Sequence, residues 1–193
     1  MDLLLLLSGP VAVGKSAVAN ELARASDFRG IKSGKYLADL ARHRGKGTDR
    51  TSLQCLGDQL DQDTDYLWLV DDVATAAINA EPTVHKWLLD SVRKKRQVEQ
   101  FRMRFSASVF HAHLTAPEIV LKQRYDSRLS AGGEYLGNVP YEIAVNHPNE
   151  VSARDLNCMA DCVIDVASVR PEEAARVILD LANQRKPQCD KSC

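Results

Sequence analysis

At 193 residues, 45% of them hydrophobic, the chain has enough apolar mass for one α/β domain and too little length for several. With 25 Lys and Arg against 26 Asp and Glu, the net charge of −1 excludes nucleic-acid binding through bulk charge and leaves only a local patch for it. Five cysteines, an odd number with no C-x-x-C pair, argue against a disulfide framework or a zinc site.

Leu3 to Leu7 opens the chain, an apolar run of the length of a strand buried on both faces of a parallel sheet. It is too short to cross a membrane, and Asp2 does not suit a signal-peptide n-region, so a soluble, cytoplasmic protein with no membrane partner is expected. Ser8 leads into Gly9, four residues, then Gly14, Lys15 and Ser16, the spacing of a phosphate-binding loop. The two glycines let the backbone turn and bring amides up to phosphate oxygens, with Val13 and Ala17 completing the cradle. Lys15 supplies a point charge for the β- and γ-phosphates, and the Ser16 hydroxyl is a ligand for Mg²⁺. The segment 17–26 is a good helix former, so the loop sits at a helix N-terminus, where anions are favoured. ATP and Mg²⁺ are therefore the expected cofactors.

Phe28–Ser33 reads as a short second strand, followed by an amphipathic helix over 35–44. Gly45–Asp49 is a loop with Thr48 or Asp49 as N-cap of a helix over 50–63, and 65–80 continues helical until Pro82. Thr83–Val92 and Ser106–Ala116 read as strands separated by a basic helix. Pro117 opens a helix to Ser130 at its N1 position, and a glycine-rich loop, Ala131–Pro140, follows. After an irregular or briefly helical stretch, Asp161–Val166 is the last strand and 171–184 a closing helix. Strands alternating with helices imply a three-layer α/β fold, a parallel five-stranded sheet with helices on both faces. The helical stretch of about 35–81 is long for one crossover and reads as a small helical subdomain over the sheet's carboxyl edge, where ligands bind in such folds.

Several charged residues could carry chemistry. Asp90, at the end of a buried strand, could hold Mg²⁺ through water or accept a proton from an acceptor hydroxyl; the plainer role is capping the next helix. Arg93 follows it, and Arg124 and Arg128 share one helix face beside the glycine-rich loop, placed to neutralise a transferring phosphoryl group or merely solvated. Lys94, Lys95 and Arg96 form a basic run that is either a solvated face or a local contact for an anionic polymer. Arg50, Gln54 and Asp58 repeat at i, i+4 and i+8, and with Asp49 they could read a base edge and a phosphate or face water. Tyr36 and Trp68 could stack on a base or pack in the core, and His111 and His113 share a strand face, where core roles fit better than ligation.

These residues resemble the nucleoside monophosphate kinase-like P-loop kinases over most of the chain. The stretches that carry the resemblance are GPVAVGKS, IKSGKYLADLAR, LLDSVRKKRQVEQFR, HLTAPEIVLKQRYDSR and CVIDV. Lys35 stands where the family has Asp, and Ser91 where it has Gly, positions at which acceptor contacts vary, so adenylate kinase itself is not implied. The family includes phage-type kinases, some acting on free deoxynucleotides and others on hydroxymethylated pyrimidines such as 5-hydroxymethyluracil within DNA. The resemblance implies one P-loop kinase domain over 1–186, with an acceptor-binding insert at about 35–81, a lid at about 129–140 and a polar tail at 187–193. It implies Lys15, Asp90, Arg93, Arg124 and Arg128 as catalytic residues, Lys35 as an acceptor contact, and Ser16 and Asp90 as metal holders; Tyr36, Asp49, Arg50 and Gln54 are the further acceptor contacts expected from the helical stretch itself. The expected acceptor is a nucleotide, free or in DNA. The alternative is a nucleotide-dependent NTPase switch acting on a protein partner, although N-K-x-D is absent and no D-E pair follows the third strand.

Overall fold

The computed structural model describes residues 1–132 and 139–185. Five parallel strands, β1 (Leu3–Ser8), β2 (Arg29–Gly30), β3 (Lys86–Leu89), β4 (Val109–Thr115) and β5 (Cys162–Asp165), form one sheet in the order β2-β3-β1-β4-β5. The phosphate-loop strand is thus central. Leu5 is opposite Leu88 of β3 and Phe110 of β4, and Ser8 is opposite His113.

The leucine run alternates between two cores. Leu5 and Leu7 pack with α1 (Lys15–Ser26) and α9 (Pro171–Gln184) on one face. Leu4 and Leu6 pack on the other face with α2 (Ser33–His43), α3 (Arg50–Asp63) and α5 (Lys95–Phe105). All four of these leucines are fully buried, as expected for a strand with helices on both sides. The predicted three-layer fold is therefore the one observed.

The helical insert has three parts. After α2 and α3 comes a π-helical turn, Leu69–Thr75, that runs into α4 (Ala76–Ala80). Leu56, Trp68 and Val70 from this stretch bury against Leu4, Leu6 and Trp87, so the insert shares its core with the sheet. The second strand is shorter than read, two residues rather than six, because α2 begins at Ser33 and only Arg29 and Gly30 pair with β3. Past α6 (Glu118–Ser130), the segment 141–154 folds as α7 (Tyr141–Ala144) and α8 (Pro148–Arg154). The core of the predicted lid, residues 133–138, and the tail 187–193 lie outside the described residues. No helix among the described residues is long and apolar enough to cross a membrane.

Candidate active site

The site begins where β1 ends. Gly9 has φ +145°, and a Cβ there would lie 2.5 Å from the Leu114 carbonyl oxygen, so only glycine fits between the loop and β4. Gly14, at φ +98°, caps α1 and turns the chain into it. The Lys15 ammonium folds back over the loop and donates to the carbonyls of Gly9 at 2.6 Å and Pro10 at 3.0 Å. Burial pushes its pKa down to about 8. Beneath the loop, the Ser8 hydroxyl lies 2.6 Å from His111 Nε2 and 2.9 Å from His113 Nδ1. Burial pushes both imidazoles down to about 4, so they are neutral structural partners of the strand end.

Asp90 stands just beyond β3, on the same side as the phosphate loop. It lines a cavity of about 300 Å³ with Ser16, Asn20 and Lys32. It does not cap α5, whose N-cap is Lys94. The next residues turn to the other side: Ser91, Arg93 and Lys94 line a second cavity of about 200 Å³ together with Arg50, Gln54 and Asn149. The short segment after β3 therefore joins the cavity beside the phosphate loop to this second cavity. Arg93 donates through Nη1 to Glu150 at 3.1 Å, and Glu150 is buried.

The second cavity has an acidic floor. Lys94 donates to Asp58 at 2.7 Å and to Asp61 at 2.8 Å, while Asp61 also accepts from Trp68 Nε1 at 2.8 Å and Gln97 Nε2 at 3.3 Å. Asn149 donates to Asp58 at 3.4 Å. The two carboxylates outweigh the burial of Lys94 and raise its pKa.

The remaining predicted residues fall in different places. Arg50 and Gln54 line this second cavity and also a neighbouring one of about 270 Å³ on the far side of α3. The Arg50, Gln54 and Asp58 stripe is thus a partition between cavities. Asp49 caps α3, accepting from Ser52 N at 3.0 Å and Ser52 Oγ at 2.5 Å. Lys35 and Tyr36 line a separate hollow near β2, and Tyr36 stacks on Trp68 with ring centroids 5.8 Å apart. Arg124 donates to the carbonyls of Val13 at 3.1 Å and Val166 at 2.7 Å and borders a cavity with Gly14 and Ala17, beside the start of α1. Arg128 is exposed one turn further along α6. In the basic run, Lys94 and Arg96 are engaged in ion pairs, Arg96 with Asp65 and Glu99. The residues that the sequence reading missed are Asp61, Asn149 and Glu150. The one local hint was an acid, Asp61, beside Leu56 and Leu60 on the apolar side of α3.

A family model described as an AAA domain matches residues 5–143. The chain belongs to that family. The match runs from β1 and the phosphate loop to α7 and stops short of α8, which carries Asn149 of the second cavity. No curated protein matches the sequence. Among solved structures, this AAA domain is similar to a gluconokinase from Sinorhizobium meliloti 1021, with TM-score 0.56 and 17% identity over 95% of this chain and 93% of that one. An unliganded sugar kinase from Janibacter sp. HTCC2649 gives TM-score 0.55 and 16% identity, covering 97% of this chain and all of its own. A Mycobacterium tuberculosis APS kinase, solved with AMPPNP and APS, gives TM-score 0.52 and 14% identity, covering 94% and 97% of the two chains. At these identities the likeness is one of fold: the AAA domain here has the fold of the P-loop kinases.

Proposed function

We propose that the protein is an ATP-dependent P-loop kinase that moves the γ-phosphoryl group to a hydroxyl on a nucleotide-type acceptor, free or within DNA. The observation that carries the reading is the junction after β3. Asp90 shares a cavity with Ser16, and Ser91, Arg93 and Lys94 line the cavity next to it. Donor and acceptor can therefore meet at one point, with Lys15 and Arg93 both near it.

Two oxygen donors on one cavity fit a hard cation, so Ser16 and Asp90 would hold Mg²⁺, which would neutralise phosphate charge when bound. Lys15 exchanges its loop carbonyls for phosphate oxygens. Arg93 faces the outer phosphate, and Arg124 and Arg128 supply further positive charge from α6. The acceptor oxygen attacks the γ-phosphorus, the bond to the β–γ bridging oxygen breaks, ADP leaves, and the hydroxyl proton passes to water or, if Asp90 is not engaged by the metal, to its carboxylate.

A hydroxyl suits the cavity better than a phosphate. Lys94 is already paired with Asp58 and Asp61, so a phosphate dianion at that end of the cavity would meet a cation that is largely neutralised. Asp58 and Gln54 can instead take up hydroxyl and ring N–H groups. The kinase names of the structural neighbours and the family resemblance support phosphoryl transfer, and the resemblance supports a nucleotide acceptor.

The test is ADP release from Mg-ATP with nucleosides, nucleoside monophosphates, sugars and duplex DNA carrying 5-hydroxymethyluracil, with the product read by ³¹P NMR. Acceptor-dependent ADP with a new phosphomonoester signal is expected from a nucleoside or the DNA. A diphosphate product from a monophosphate would replace the hydroxyl by a phosphate acceptor. Release that no acceptor stimulates would overturn the kinase and favour the NTPase switch.

A further inference from the structure

The segment His147–Glu150, at the start of α8, faces the candidate site from the side opposite α3, and no catalytic reading of the sequence points to it. Each of its non-proline residues is bonded to a side chain of the site. The His147 ring lies 2.8 Å from Gln54 Nε2, Asn149 donates to Asp58 at 3.4 Å, and Glu150 accepts from Arg93 at 3.1 Å. Asn149 and Glu150 are 7% and 5% exposed. A buried carboxylate is unfavourable unless paired and hydrogen-bonded, and its partner is the arginine at the donor–acceptor junction.

We propose that Glu150 is a positioning residue: it fixes the Arg93 guanidinium across the mouth between the phosphate loop and the acceptor cavity before substrates arrive. The proposal rests on the kinase reading for its catalytic consequence, but the fixing itself does not. An arginine stem has many rotamers, and one buried carboxylate selects among them. The ordering is then complete in the folded protein and is not left to the transition state. The Arg93 backbone is held as well, since its N–H donates to Gln97 Oε1 at 2.9 Å. Backbone and side chain are thus fixed from two elements, α5 and α8. Lys15 lies within electrostatic reach of both Glu150 and Arg93, so the carboxylate also offsets the repulsion between two cations gathered at one point.

The experiment uses the full chain and two readouts. The first needs no acceptor: the Arg93 Nε–Hε signal in ¹H–¹⁵N NMR, assigned by its loss in Arg93→Lys. An ordered signal is expected in the wild type, lost to averaging in Glu150→Gln and largely kept in Glu150→Asp, with melting curves confirming that each variant is folded. The second is kcat with Mg-ATP and the acceptor found by the panel above. Glu150→Gln should lower kcat about 10- to 100-fold with little change in KM for ATP. It should add nothing in an Arg93→Ala background, because it acts through that side chain. An Arg93 signal equally ordered in Glu150→Gln overturns the proposal, as does an equal loss of kcat with or without Arg93. Failure of the acceptor panel removes the kinase reading and leaves the NMR outcome to decide the fixing.

Discussion

Burial pushes the Lys15 ammonium from 10.5 down to about 8; Arg93 adds to the shift, while Glu150 and Asp90 oppose it. Only the charged form attracts phosphate, so the free protein loses its grip on ATP as pH rises past about 8. We expect kcat/KM for ATP to hold from about pH 6.5 to 7.5 and to fall about tenfold per unit well above 8. A profile measured to about pH 10 checks this, and a flat one would show that Lys15 stays charged. Lys15, Ser16 and Gly9 were legible because the phosphate loop is contiguous and its spacing is its geometry. The place of Asp90 was legible because it ends the strand beside β1, which brings it into one cavity with Ser16. Glu150 and Asn149 were not legible, because nothing within 50 residues of them indicates that they face Arg93 and Asp58. Tyr36 shows the reverse: an aromatic that could have met a ligand is taken up by Trp68 and Asp72.

At the scale of elements, α3 is held to α5 by one buried acid. Asp61 is 3% exposed and receives donors from Lys94, Trp68 and Gln97. Asp61→Ala leaves the Trp68 and Gln97 donors without their acceptor and Lys94 with Asp58 alone, and is expected to destabilise the fold by about 3 kcal/mol. Urea unfolding measures this, and a loss under about 1 kcal/mol would mean that water replaces the carboxylate. The strands and most helices were legible from period and caps: Pro171 opens its helix as expected, Asp49 is an N-cap, and Pro117 stands one position before the expected N1, at the N-cap of α6. The lengths were less so. The second strand read from Phe28 to Ser33 is cut to two paired residues because Ser33 already belongs to α2. The π-helical turn at Leu69–Thr75 has no local signal, since it arises where Leu69, Val70 and Val73 settle on the sheet.

For the whole molecule, acid should act through the sheet's interior. His111 and His113 titrate near 4 when folded and near 6.5 when unfolded, chiefly because burial disfavours their charged forms. The unfolded chain therefore binds more protons between these values, and stability falls as pH drops from about 6.5 towards 4. The slope should approach two protons, and His113→Asn should reduce it by about one. Urea midpoints at several pH values check this. A slope unchanged by the substitution would assign the acid loss to carboxylates.

The strand order carries a consequence for biosynthesis. Leu3–Leu7, an unbroken apolar run, is translated before its neighbours in the sheet, Lys86–Leu89 and Val109–Thr115. At about 5–20 residues per second, a nascent chain carries this greasy segment unsheltered for several seconds before either flank can emerge from the ribosome. The arrangement that centres the phosphate loop thus delays burial of its strand until more than a hundred residues have been made.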